Sequence, residues 1–328
     1  MNILVTGGAG YIGSFMAKRL LDDGHAVTIA DSLERGFDQA LDERAVFKKG
    51  DLTDKNYLTE LFTTGNFEAI IHFAAYISMG ESMQNPYIYF ANNTNMALQL
   101  MEAAKNNNVK KFIFSSTAGV YGNPVKIPIP EDHPKNPENP YGESKLMVES
   151  LLKWYQRIHG MNFVALRYFN ACGASLDAAL GENHEPETHI IPNAIKALLR
   201  KRPFTLFGSD YKTPDGTCVR DYIHVLDLVE AHVLALKKLQ NDKGGFVYNV
   251  GTGKGFSNKE VLDMVRKVSG ENPQIEMHPR RPGDADMLVA DVSRITAELN
   301  FAPKYSDLET IVKTAWEWHK KNFKTSES

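Results

Sequence analysis

The chain has 328 residues, of which 43% are hydrophobic and 23% are charged, as in an ordinary globular protein. A net charge of −3 excludes the basic surface that nucleic acids or anionic membranes require. No apolar run is long enough to span a membrane, no signal peptide is expected, and two cysteines, Cys172 and Cys218, favour a reducing cytoplasm without a metal site.

The N-terminal segment predicts a strand, a glycine turn and a helix. Residues 2–6 are apolar strand formers, and Gly7, Gly10 and Gly13 follow before a helical pattern begins. In this context a glycine turn lets backbone N–H groups and the helix N-terminus approach the pyrophosphate of a dinucleotide. The spacing is G-x-x-G-x-x-G, and a plain tight turn is the alternative interpretation of this motif alone.

A second predicted strand, residues 26–30, ends in Asp31, about 20 residues after the glycine turn. An acidic residue there hydrogen-bonds the ribose diol and repels a 2′-phosphate. We therefore predict NAD and not NADP as the cofactor. Arg35 is the observation against this choice, since arginine can bind a 2′-phosphate.

The alternation of strands and helices continues through the first half of the chain, with the predicted strands buried on both faces. The next elements are strands near residues 46–48, 69–75 and 111–114, and helices near residues 54–62 and 87–105. This pattern predicts an α/β protein with a Rossmann-type doubly wound parallel sheet. Ligands of such sheets bind at the carboxyl ends of the strands.

Ser115, Ser116 and Thr117 follow the predicted strand 111–114, at the edge of the sheet where chemistry is expected. A hydroxyl there can hydrogen-bond a substrate oxygen. The alternative is a run of hydroxyls that only caps the strand.

A helix that begins at Pro140 places Tyr141 and Lys145 four residues apart on one face. An ammonium beside a phenol favours the phenolate, which can take a proton from an alcohol near neutral pH. The alternative is a surface tyrosine and a surface lysine. We predict that this helix extends to about residue 158.

The βα rhythm loosens after a predicted strand at residues 163–168, so we place the main boundary near residue 170. Residues 1–170, completed by segments around 217–250, are predicted to form the NAD-binding domain. Residues 171–328 are predicted to form a smaller mixed α/β substrate domain. Arg220 and Arg281 lie in separate segments and can clamp a diphosphate between them, although solvated surface arginines are the alternative.

Together these segments resemble the extended short-chain dehydrogenase/reductase family and, within it, the UDP-glucose 4-epimerases, over nearly the whole chain. The glycine turn and the Tyr-Gly-Glu-Ser-Lys segment at 141–145 are shared across the superfamily. The segments that resemble nucleotide-sugar epimerases lie at residues 167–170, 219–224 and 280–284.

The resemblance implies UDP-glucose and UDP-galactose as substrates and a homodimer formed through two helices, the one after Asn92 and the one that carries Tyr141. Tyr141 would be the base, Lys145 would hold the nicotinamide ribose and lower the pKa of Tyr141, and Thr117 would take the family's Ser/Thr position. The further NAD contacts implied are Gly7, Gly10, Tyr11, Ile12, Gly13, Asp31, Ser32, Leu33, Arg35, Gly36, Asp51, Leu52, Phe73, Ala74, Ala75, Asn92, Ser115 and Tyr168. The UDP-sugar contacts implied are Thr117, Tyr141, Phe169, Asn170, His189, Ile190, Thr205, Leu206, Phe207, Arg220, residues 281–284 with Arg281 and Asp284, and Leu288.

Two positions depart from the family pattern. Ile77 stands where some members have a lysine near the nicotinamide, and Leu288 stands where strict hexose epimerases have a bulky tyrosine. Leu288 predicts a roomier pocket that also accepts UDP-N-acetylglucosamine.

Three alternatives to the epimerase remain at this point. Dehydratases of the family carry an acidic pair after the Ser/Thr and decarboxylating members a glutamate beside it, whereas this chain has Ala118 and Gly119. A non-catalytic NAD-binding protein is the third alternative. Among the nucleotide-sugar enzymes, a 4-epimerase for UDP-pentoses or UDP-uronates also remains open.

Overall fold

The computed structural model describes residues 1–281 and 284–326. In chain order the strands are β1 (Asn2–Thr6), β2 (Ala26–Asp31), β3 (Val46–Lys49), β4 (Ala69–His72), β5 (Lys111–Thr117), β6 (Asn162–Tyr168), β7 (Asn170–Cys172), β8 (Phe204–Phe207), β9 (Val219–His224), β10 (Gly245–Val250), β11 (Gly255–Ser257), β12 (Ile275–His278) and β13 (Met287–Leu288). The helices are α1 (Tyr11–Asp22), α2 (Lys55–Gly65), α3 (Met79–Gln84), α4 (Pro86–Tyr89), α5 (Met96–Asn106), α6 (Pro140–His159), α7 (Ile190–Leu199), α8 (Val225–Asn241), α9 (Asn258–Ser269), α10 (Ser293–Leu299) and α11 (Leu308–Ser326). Within the described ranges, no helix combines the length and apolar character needed to cross a bilayer.

The central sheet has seven parallel strands in the order β10-β6-β5-β4-β1-β2-β3. The strand order runs outward from β1 through β2 and β3 on one side, and from β4 through β5 and β6 on the other. This change of direction between β1 and β4 creates the crevice in which doubly wound sheets bind ligands. Every residue of β4 is buried, which explains its continuous apolar sequence. The predicted Rossmann-type fold is confirmed.

Helices cover both faces of this sheet. On one face α1 packs against β1 and α8 packs against β5 and β6, with Phe15, Leu20 and Leu228 in the core. On the other face α2, α5 and α6 contribute Leu58, Leu100 and Leu152. Each of these leucines is nearly or fully buried, and burial of such a side chain contributes about 1.5–3 kcal/mol.

A smaller mixed α/β part lies beyond β6. In it β9 pairs in parallel with β7 and β13 and antiparallel with β11, and β8 pairs in parallel with β12. Helices α7, α9 and α11 share a core that includes the buried residues Ile195, Val265 and Ile311. The chain also returns to the central sheet here, because β10 pairs with β6.

The helix predicted over residues 87–105 differs in form. It consists of α4, a π-helical segment Phe90–Asn95, and α5 in direct succession. The π segment contains the buried side chain of Asn93. π-Helical turns often occur at functional sites, and this one lies against the helix that carries Tyr141.

Candidate active site

The predicted cofactor residues follow six strands of the central sheet. Since these strands are all parallel, their carboxyl ends share one edge of the sheet. Asn92 is the exception, since it lies in the π-helical segment. Tyr141 and Lys145, near the start of α6, reach the same edge, where Lys145 bonds to the Ser115 carbonyl. The groups are Gly7, Gly10, Tyr11, Ile12 and Gly13 after β1; Asp31, Ser32, Leu33, Arg35 and Gly36 at and after β2; Asp51 and Leu52 after β3; Phe73, Ala74 and Ala75 after β4; Ser115 in β5; and Tyr168 in β6.

The glycine turn leaves its backbone open to a ligand. Gly7 has φ +70°, and a Cβ atom there would lie 2.6 Å from the Ala74 nitrogen. A Cβ atom at Gly13 would collide with the Gly7 oxygen. Helix α1 begins after Gly10, and among the described residues no side chain caps it. Its first N–H groups can therefore bind a pyrophosphate, so the turn fits a dinucleotide.

Asp31 joins the end of β2 to this turn. Its carboxylate accepts hydrogen bonds from the Ala9 nitrogen at 3.0 Å and from the Leu33 nitrogen at 2.9 Å. Arg35 is directed elsewhere: its guanidinium bonds Glu81 at 2.9 Å and lies 4.2 Å from the centre of the Tyr76 ring. This arrangement favours a ribose diol over a 2′-phosphate beside Asp31.

Thr117, Tyr141 and Lys145 meet where β5 ends and α6 begins. The Asn139 side chain caps α6 by accepting a hydrogen bond from the Gly142 nitrogen at 2.9 Å, and this cap fixes the first turn that carries Tyr141. The Thr117 hydroxyl lies close enough to the Tyr141 phenol to lower its pKa, and it accepts a hydrogen bond from the Gly119 nitrogen at 3.0 Å. Lys145 is 3% exposed, and its Nζ donates to the Ser115 carbonyl at 2.8 Å.

Burial governs the protonation of both groups. It raises the pKa of the Tyr141 phenol, and the neighbouring Thr117 hydroxyl opposes this only in part. Burial also lowers the pKa of the Lys145 ammonium to about 7. The prediction that Lys145 lowers the pKa of Tyr141 stays a prediction.

Asn93, the neighbour of the predicted NAD contact Asn92, is buried and bonded to both sides of the site. The Asn93 side chain accepts from the Tyr76 nitrogen at 2.8 Å and donates to the Tyr76 carbonyl at 3.0 Å and to the Ser144 hydroxyl at 3.1 Å. Asn92 donates only to Asn93, at 3.2 Å, among the hydrogen bonds of the described chain. Asn93 therefore ties the loop after β4 to the helix of Tyr141.

The sequence analysis missed a buried ionic network beneath Thr117. Arg167 and Glu149 are 1% and 0% exposed, and their nearest atoms lie 2.6 Å apart. Glu149 also accepts a hydrogen bond from Ser116 at 2.6 Å, and Arg167 donates to the Tyr121 hydroxyl at 2.8 Å. An arginine inside an apolar strand was the available signal, since such a charge needs a buried partner.

Phe169 and Leu288 lie beside the catalytic strand. Both pack against a cluster formed by Ala118, Val120, Tyr121 and Ile129, directly after Thr117. Leu288, in β13, is paired with Arg220 in β9. The structure therefore brings the predicted sugar-pocket residue Leu288 to the same edge as Thr117.

The remaining substrate residues form a second group around β8 and β9. Arg220 is 9% exposed, donates to the Ala285 carbonyl at 2.9 Å and pairs with Asp284 at 3.4 Å. The Arg281 guanidinium lies 4.1 Å from the centre of the Phe207 ring. Thr205 and Leu206 precede Phe207 in β8, and Asn170 pairs with Tyr222 in the register of β7 and β9. Pro282 and Gly283, which belong to the predicted contact range 281–284, lie outside the described residues.

His189 and Ile190 occupy a different place, at the start of α7. The Nδ1 atom of His189 forms a hydrogen bond with the buried Glu182, and His184 bonds the same carboxylate at 3.1 Å. The ring of His184 lies edge-on to Tyr11, whose hydroxyl donates to the Gly173 carbonyl. His189 is therefore part of a cluster beside α1.

The profile of the NAD dependent epimerase/dehydratase family matches residues 3–251. The chain belongs to this family. It is similar to the curated UDP-glucose 4-epimerase of Lactobacillus helveticus, with 44% identity over 321 residues that cover 98% of this chain and 97% of that protein. The resemblance stated from the sequence is confirmed.

Two solved structures extend this similarity to the family fold. A UDP-glucose 4-epimerase from Bifidobacterium longum, in complex with NAD+ and UDP, is 36% identical with a TM-score of 0.94, covering 98% of this chain and 99% of that one. The UDP-Glc/GlcNAc 4-epimerase from Campylobacter jejuni is 41% identical with a TM-score of 0.85, covering 97% of this chain and 99% of that one.

Proposed function

We propose that this protein interconverts UDP-glucose and UDP-galactose by inverting C4 of the sugar with the help of bound NAD. The observation that carries the proposal is the meeting of Thr117, Tyr141 and the buried Lys145 at the edge of the sheet that also holds the glycine turn. Relatives named UDP-glucose 4-epimerase match almost the whole chain, and one was solved with NAD+ and UDP.

The residues divide the chemistry as follows. NAD+, when bound, accepts a hydride and later returns it, and its positive charge favours the phenolate of Tyr141. Tyr141 takes the proton of the sugar 4-hydroxyl, and Thr117 holds the 4-oxygen. Lys145 donates one of its three N–H groups to the Ser115 carbonyl, so two remain for the nicotinamide ribose. The resulting 4-keto sugar is planar at C4, so return of the hydride to its other face gives the inverted alcohol.

The second group of residues would hold the nucleotide. Arg220 and Arg281 offer guanidinium donors to the diphosphate, and Phe207 lies directly beside Arg281. Asn170, Thr205, Leu206 and Asp284 belong to the same group, and His189 and Ile190, at the start of α7, are further contacts of the proposal. When binding energy is concentrated on UDP, the hexose is free to turn between its two oxidations.

We further propose that UDP-N-acetylhexosamines are accepted. Leu288 lies beside Phe169 and the cluster after Thr117, and a leucine leaves more room than the tyrosine of strict hexose epimerases. The relative from Campylobacter jejuni is named as an epimerase for both sugars.

The organisation of the chain is part of the proposal. Residues 1–170 with 217–250 would bind NAD, and residues 171–328 would bind the UDP-sugar; the pairing of β10 with β6 supports this division. A homodimer is supported by α6, which exposes Met147, Trp154 and Ile158 at 40%, 55% and 64% along one face. Two free cysteines, both buried, support a cytoplasmic location.

The direct test is incubation of the purified protein with UDP-galactose and no added NAD. We expect UDP-glucose to form, because the cofactor stays bound through the cycle and no external oxidant is consumed. A 4-keto-6-deoxy product would identify a dehydratase instead, an outcome that Ala118 and Gly119 disfavour since neither can move a proton. Binding of NAD without any turnover of UDP-sugars would refute the proposal.

A further inference from the structure

Four side chains in the loop before α7 converge on one point outside the proposed reaction centre. Glu182, His184, Glu187 and His189 each direct one ligand atom to it, and these atoms all lie within 4.8 Å of one another. The Glu182 and Glu187 side chains are 4% and 5% exposed. The spacing in sequence is E-x-H-x-x-E-x-H, so a loop of eight residues supplies all four groups.

We propose that this cluster is a binding site for a divalent transition-metal ion, with Zn2+ as the best match. Imidazole nitrogen and carboxylate oxygen are ordinary zinc ligands, at about 2.0–2.2 Å from the metal. Tetrahedral ligands at that radius are about 3.3 Å apart.

The observed separations bracket this value. His184 Nδ1 is 3.1 Å from Glu182 Oε1 and 3.9 Å from Glu187 Oε1. His189 Nδ1 is 3.7 Å from Glu187 Oε1 and in hydrogen-bond contact with Glu182 Oε1. Small side-chain shifts therefore place a metal within bonding distance of all four.

Charge balance supports a cation at this point. Two carboxylates are almost completely buried, and burying such charges is costly unless a partner compensates them. Lys196 lies 3.2 Å from Glu187 Oε2, on the oxygen opposite the cluster. The charges of a divalent ion, two carboxylates and two neutral imidazoles sum to zero, and Lys196 beside them adds one positive charge.

The surroundings meet the other requirements of a metal site. Glu187 Oε1 is oriented by the backbone nitrogens of Thr188 and His189, at 2.9 and 3.1 Å, and Lys196 fixes the second oxygen. A cleft of about 390 Å³ is lined in part by Gly181 and Asn183, the neighbours of Glu182 in sequence, and by Lys196, which pairs with Glu187.

The bound ion would fix the loop 182–189 and the start of α7. His189 would bind the metal through Nδ1, which leaves Nε2 for the UDP contact proposed above. All four tetrahedral positions are taken by protein, and a closed site of this kind is structural. The metal should therefore stabilise the fold and play no part in the transfer of hydride at C4.

The test is a metal titration of the full-length protein after treatment with a chelator and dialysis. We expect one equivalent of Zn2+ per chain by mass spectrometry, a visible absorption band of tetrahedral Co2+ when cobalt is used, and a thermal midpoint that rises with zinc concentration. His184→Ala and Glu182→Gln should each weaken zinc binding at least about 10- to 100-fold, since loss of outer-shell partners alone costs that much. His159→Ala, which removes an exposed histidine on α6, is the matched control and should bind zinc normally.

The proposal is overturned if the wild-type protein binds no zinc at micromolar concentration, or if cobalt gives only the weak spectrum of a hydrated octahedral ion. It is also overturned if the cluster variants bind zinc as well as the control does. The cobalt spectrum of the wild type decides the matter even where a cluster variant fails to fold.

Discussion

The buried pair of Glu149 and Arg167 offers a prediction in which burial alone decides the outcome. Glu149→Gln keeps the shape of the side chain and leaves the guanidinium of Arg167 buried without a counter-charge. The matched control is Glu309→Gln, which makes the same chemical change in the exposed pair with Lys267. Both pairs have an N–O distance of 2.6 Å, but the side chains of the second pair are 60% and 55% exposed.

The expected magnitudes differ severalfold. Breaking a buried pair by removal of one partner costs about 3–5 kcal/mol, whereas an exposed pair contributes about 0–1 kcal/mol. An unfolding entropy of about 2.1 cal/mol/K per residue gives about 0.7 kcal/mol/K for a chain of 328 residues. Glu149→Gln should therefore lower the thermal midpoint by about 4–7 °C and Glu309→Gln by no more than about 1.5 °C.

Differential scanning calorimetry at pH 7, on samples with equal NAD content, measures both shifts. High salt should shift the midpoint of each variant by no more than it shifts that of the wild type. Salt screens the buried pair poorly, so loss of this pair should not add to the salt dependence. Equal shifts in the two variants would refute the argument that burial makes the Glu149–Arg167 pair indispensable.

Three further outcomes are expected. Tyr141→Phe should lower turnover by about 10²–10⁴-fold while NAD stays bound, and retained activity would show that another group is the base. Leu288→Tyr should reduce turnover of UDP-N-acetylglucosamine relative to UDP-glucose by roughly 10- to 200-fold, and an unchanged ratio of the two rates would exclude Leu288 as the limit of the pocket. Burial, together with the nearby charge of Lys145, lowers the pKa of His72 from 6.5 to about 3 in the folded protein. Between pH 3 and pH 6.5, His72 therefore binds a proton in the unfolded chain but not in the folded protein. The stabilisation that His72 contributes is thus fully present above pH 6.5 and falls as the pH drops, by up to about 1.4 kcal/mol per pH unit. His72→Gln should flatten the dependence of the thermal midpoint on pH, and an identical slope would contradict this assignment.

The central sheet was predictable because its inner strands carry their own evidence. A strand buried on both faces, such as β4, must be continuously apolar, and the turns between strands and helices contain the glycines and acidic residues that the fold requires. Residues around 217–250 were predicted to complete the NAD-binding domain, but the pairing of β10 with β6 was not predictable in this way. It joins segments about 80 residues apart, and local propensity carries no information about such a partner.

The site shows the same limit at the level of single residues. The spacing of Tyr141 and Lys145 correctly placed them on one helix, but it could not indicate that Lys145 is 3% exposed and bonded to Ser115. Asn92 and Asn93 are equivalent in sequence, and only the π-helical turn determines that Asn93 points inward. Burial and local helix geometry are tertiary properties, and both change what a side chain does.

The most direct test of the proposed mechanism follows the hydrogen on C4. UDP-galactose that carries deuterium at C4 should give UDP-glucose with the deuterium still at C4, because the hydride is borrowed and returned within one bound cofactor. Mass spectrometry or NMR of the product, in ordinary water, measures the retained label. Loss of the label to water would show that C4 is inverted through a proton transfer, and it would contradict transient oxidation.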